Sequence, residues 1–127
     1  MELTEKERMI LVSKKEEILK LTKEILDIMK DPEQAIEVKK RMTSILSLVS
    51  TIGCYAKCKN YNLDVLMRFT TMIFLEMDML EKNWTIFDAW IQVFCNTVNT
   101  IQFNLTKKDI IIRIPKIDLS IFKQSNA

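Results

Sequence analysis

Three cysteines and one tight group of carboxylates are the side chains whose types and spacing come nearest to chemistry. Cys54 and Cys58 are four positions apart, so a helix holding both presents them on one side, while Cys95 stands far down the chain. Thiolates so spaced bind zinc when further donors complete a tetrahedron. The chain has no His, however, and the pattern matches no zinc finger or ribbon. A disulfide between positions i and i+4 of one helix is badly aimed, which leaves free, packed thiols as the expectation. Glu76, Asp78 and Glu81 could share a divalent cation or divide acid and base roles. On a helix Glu76 and Asp78 point about 200° apart, so a solvated helix end is the plainer reading.

Other catalytic equipment is missing. Without His there is no imidazole base, and the single Gly, Gly53, cannot build a phosphate-cradling loop. The expectation is no enzymatic activity, no metal and no cofactor. A small metal-dependent enzyme built on the Glu76 group stands as a distant third reading.

Binding side chains are more plentiful. Lys39, Lys40 and Arg41 form a basic run, and Lys107, Lys108 and Arg113 form another near the C-terminal end. Together they make the nucleic-acid alternative, that of a helical subunit of a larger complex. The net charge of +2 is too small to favour it, and no aromatics are interleaved with the cations. Charge is nevertheless uneven: residues 1–41 balance, residues 42–98 carry −1 and residues 99–127 carry +3.

The elements that position these residues can be read from periodicity. Apolar residues make up 48% of the 127 residues, with one Gly and two Pro, which favours a helical globular domain over an all-β one. Thr4 and Glu7 form a capping box that opens a first helix, expected over 4–30, with Leu11, Ile18, Leu21, Ile25 and Ile28 on one stripe. Asp31-Pro32 ends it and caps a second helix, 32–59, whose stripe is Ala35, Val38, Met42, Ile45, Val49, Ile52 and Ala56. Its remaining face loses all charge after Arg41 and carries Thr43, Ser44, Ser47, Ser50 and Thr51, residue types that tolerate close helix approach. A helix enclosed on most sides is therefore expected.

A third helix, 63–81, carries Leu66, Phe69, Ile73, Met77 and Leu80, with charge near its ends, and reads as a second buried helix. Thr85 with Asp88 repeats the capping pattern and opens a fourth, 85–98, with Ile86, Trp90, Ile91, Phe94 and Val98 on its stripe. From Ile101 the period becomes two, which predicts a β-hairpin and a third strand over 101–121 that includes Ile117, Leu119 and Ile121. The fold class is thus mainly α: a single-domain four-helix bundle with a small C-terminal β element.

Met1 to Arg8 is charged throughout and lacks a signal-peptide pattern, and no charge-free stretch reaches the ~20 apolar residues of a membrane span. A cytoplasmic protein is expected. With surplus uncharged surface and no catalytic set, the favoured function is a self-associating interaction or adaptor protein, most simply a homodimer. Candidate interface residues are Ser44, Ser47, Thr51, Trp84, Trp90, Ile117, Leu119 and Ile121. Both tryptophans have an alternative as core lids.

Overall fold

A computed structural model describes residues 4–56, 61–77 and 84–101, with side chains at all of these except 55, 56, 61–65 and 84. Among the described residues there are four α-helices: α1 (Glu5–Ile28), α2 (Ala35–Ala56), α3 (Tyr61–Leu75) and α4 (Trp84–Asn99). The protein is mainly helical, as its periodicity predicts.

The helix starts follow from local chemistry. The Thr4 hydroxyl accepts the Glu7 N–H at 3.1 Å, and the Glu7 carboxylate accepts the Thr4 N–H at 3.2 Å, so the two groups satisfy each other's free donors. Asp31 accepts the Glu33 N–H at 3.0 Å ahead of Pro32, and a single 3-10 turn, Pro32–Gln34, leads into α2. The second helix therefore starts at Ala35 rather than at 32, and its expected end at 59 lies outside the described residues. The fourth starts at Trp84, which puts Thr85 inside the helix rather than at its cap.

The helices close a ring in which α1 packs on α2, α2 on α3, α3 on α4 and α4 back on α1. Contacts along α1 and α4 fix their direction: Lys15 meets Ile101, while Thr22 meets Cys95, so the two run antiparallel. The core between the four contains Leu11, Ile18 and Ile25 from α1, Val38 to Ile52 positions from α2, Leu66, Phe69 and Ile73 from α3, and Phe87 to Val98 positions from α4. Phe69 and Phe94 join α3 to α4 edge to face, with ring centroids 5.8 Å apart and planes at 86°.

Two expected stripes are rotated slightly. Thr22 and Met29 take buried positions on α1, and Leu21 and Ile28 are only partly buried; on α4 Phe87 is buried in place of Ile86. Thr22 is admitted because its hydroxyl donates to the Leu19 carbonyl at 2.7 Å and lies 3.3 Å from the Cys95 sulfur, so its own polar atom is satisfied.

No strand occurs among the described residues, and the β element expected over 101–121 lies outside them apart from Ile101. Ile101 itself is buried in the helical core, and its N–H donates to the Val98 carbonyl at 3.1 Å, so it finishes the α4 turn instead of starting a strand. The Lys15 ammonium donates to the Ile101 carbonyl at 2.8 Å and ties this end of the chain to α1.

Candidate interaction surface

The hydroxyl residues of α2 point outwards. Thr43, Ser44, Ser47 and Ser50 are exposed and Thr51 is partly so, which corrects the expectation of a helix enclosed on most sides. What makes this face unusual is how its hydroxyls are satisfied. Thr43 donates to the Lys39 carbonyl, Ser44 to Lys40, Ser50 to Leu46 and Thr51 to Ser47, at 3.0, 3.3, 2.9 and 2.9 Å. Each bond runs back one turn along the same helix, so these side chains need neither a neighbouring helix nor water as acceptor.

On α3, next to α2, the buried edge is Leu66, Phe69 and Ile73, as expected from its stripe, joined by Thr70. Its opposite face is open, so the helix is less enclosed than its sequence suggests. Met67, Arg68, Thr71, Met72, Leu75 and Glu76 line a shallow groove of about 400 Å³ there. Leu75 is 71% exposed, a large apolar side chain standing in solvent. Arg68 and Glu76, also exposed, are the only charged residues among the described side chains that line this groove, and neither forms an ion pair with a described side chain. Leu75 and Arg68 were not among the sequence candidates. Leu75 lies 180° from the buried Leu66 position at 100° per residue, a signal that helical projection of α3 contains but that hydrophobicity alone obscures.

Charge is concentrated elsewhere on the ring. Twelve of the 24 residues of α1 are charged, against four of 22 in α2, two of 15 in α3 and one of 16 in α4. The four in α2 all fall within its first seven residues. Among the described residues α1 and the start of α2 are thus solvated by Lys and Glu, with Met9 and Ile36 also exposed there, while the rest of α2 and α3 present hydroxyls and the exposed Leu75.

The basic run at the start of α2 is largely engaged. The Arg41 guanidinium donates to Glu24 on α1 at 3.3 Å and to the Glu37 carboxylate and carbonyl, each at 3.1 Å. Lys40 pairs with Glu37 at 3.3 Å, and Lys39 is exposed. Hydrogen bonds from Arg41 first, then from Lys40, hold the Glu37 carboxyl below its ordinary value of 4.5. This cluster clamps α1 to α2 and spends the charge that a phosphate would need. Lys107, Lys108 and Arg113 lie outside the described residues, as do Ile117, Leu119 and Ile121.

Trp90 is 1% exposed inside the core, in a tilted ring contact with Phe87 at 6.0 Å, which matches its core alternative. Trp84 begins α4, and its side chain is not described. Cys54 is exposed and Cys95 half-buried, both free thiols, while Cys58 lies outside the described residues. Of the acidic group only Glu76 is described. No cluster of three or more His, Cys, Asp or Glu side chains able to hold a metal occurs among the described residues. Nor is any helix among them long and apolar enough to cross a membrane.

No protein-family model, curated protein or solved structure matches the chain at a significant level. The functional reading therefore rests on the surface itself.

Proposed function

We propose that this is a non-enzymatic, self-associating interaction protein of the cytoplasm, and that its homotypic contact uses the charge-poor side formed by α2 and α3. The observation that carries the reading is the pairing of two exposed faces on neighbouring helices. One is a row of hydroxyls from Thr43 to Thr51, four of them bonded within the helix, and the other is the Met67 to Glu76 groove with Leu75 71% exposed. Large apolar side chains in solvent beside a helix face without Lys or Glu are the surface pattern of a contact between proteins. Short hydroxyl side chains let a partner helix approach closely, and their hydrogen bonds survive dehydration because the acceptors lie in the same helix.

A second copy is the simplest partner, since a two-fold axis lets one patch meet itself. The test is sedimentation velocity over a range of protein concentrations. The expected result is a species at twice the 15.0 kDa chain mass that dissociates on dilution. A single 15.0 kDa species at every concentration into the tens of micromolar would overturn the proposal.

A further inference from the structure

The groove on α3 carries its own register. Arg68 lies four residues before Met72 and Glu76 lies four residues after it. The helical path extends through Glu76, because its N–H donates to the Met72 carbonyl at 3.0 Å although α3 ends at Leu75. On one chain these opposite charges are eight residues apart, or about 12 Å along the helix, too far to pair with each other. Both are exposed and neither forms an ion pair with a described side chain.

We infer that a second copy of this chain docks on α3 as an antiparallel α3–α3 pair centred on Met72, with Arg68 of each chain beside Glu76 of the other. This inference rests on the self-association proposed above and names the face and register that carry it. A two-fold axis at Met72 reverses the partner helix, so the residue four before Met72 on one chain comes level with the residue four after it on the other. The two charges of the groove's described lining then pair across the axis twice, while Met72 is brought against its counterpart and Leu75 comes level with the Arg68 to Met72 stretch of the other chain. A parallel pair would instead set Arg68 level with Arg68 and Glu76 level with Glu76, which like-charge repulsion disfavours. The described stretch from Leu66 to Met77 is about 18 Å long, shorter than a standard interface requires, so the adjoining hydroxyl face of α2 completes the contact.

The test is a charge exchange on the full chain, read as the dimer dissociation constant by sedimentation. Arg68→Glu alone and Glu76→Arg alone each place like charges together twice, and each should weaken the dimer about tenfold or more. The double variant, Arg68→Glu with Glu76→Arg, recreates the pairs with reversed sign and should return to within about threefold of the original. Because both side chains are exposed, thermal melts followed by circular dichroism should show all three variants folded, which separates lost association from lost structure. Two results overturn the inference: an original chain that dimerises while the single variants dimerise equally well, or a double variant as weak as the singles. If the original chain is a monomer at all concentrations, the self-association reading itself falls.

Discussion

Arg41 shows how much a single side chain decides here. Its guanidinium joins Glu24 on α1 to Glu37 on α2, and Glu37 also takes Lys40. The lowered Glu37 pKa means that the folded state holds this carboxylate charged more firmly than the unfolded chain does. The stability it contributes is present in full above the unfolded value near 4.5 and is lost as pH falls through the lower folded value. In urea titrations at a series of acidic pH values, the midpoint should fall below pH 4.5 more steeply for the original chain than for Glu37→Gln. Equal slopes would show that the cluster does not stabilise the fold. Lys15 makes a comparable single-residue tie, from α1 to the carbonyl that closes α4. Lys15→Met should cost about 1.5–3 kcal/mol in urea denaturation, the range for a hydrogen bond involving a charged group.

At the scale of the helix, α2 separates stability from association. Ser47 is exposed and points away from the core stripe of Val38, Met42, Ile45, Val49 and Ile52. Ser47→Lys should therefore change the thermal stability of the isolated chain by no more than about 0.5 kcal/mol, yet weaken the dimer by placing an ammonium in its hydroxyl face. Phe94→Ala, in contrast, removes the ring that meets Phe69 in the core, and should cost about 3–5 kcal/mol by the same measurement.

The helices themselves were legible in the sequence because their starts are local chemistry. Thr4 with Glu7 and Asp31 with Pro32 need only a few residues to specify a cap, and the apolar stripes of α2 and α3 match the buried residues closely. The enclosure of α2 was not legible. Ser and Thr suit both a buried helix contact and an open face, since back-bonding to the i−4 carbonyl satisfies them in either place. Thr22 was missed on the α1 stripe for a related reason: its hydroxyl finds an acceptor in its own helix, so a polar residue occupies a core position that hydrophobicity assigns to a neighbour. Which face of α3 is open depends on how α2 and α4 flank it, and that is a property of the closed ring rather than of any one helix.

Among the four described helices, α1 carries most of the charge and α3 and α4 carry little. A contact built from apolar carbon, hydroxyls and two exposed ion pairs should be only mildly sensitive to salt. Raising ionic strength from about 0.1 to about 0.5 M should change the dimer dissociation constant by less than about tenfold. Retention on nucleic acid that falls steeply across that range would instead point to phosphate recognition.

The back-bonded hydroxyls of α2 also set the character of the water above them. A serine or threonine oxygen has one proton to give and lone pairs to receive, and here the proton is turned inward along the helix. Outward, these four hydroxyls are acceptors without donors. The water above them is therefore held from one direction only, and a partner supplying a few N–H or O–H groups can replace it without leaving their protons stranded. The surface is prepared for drying before any partner arrives.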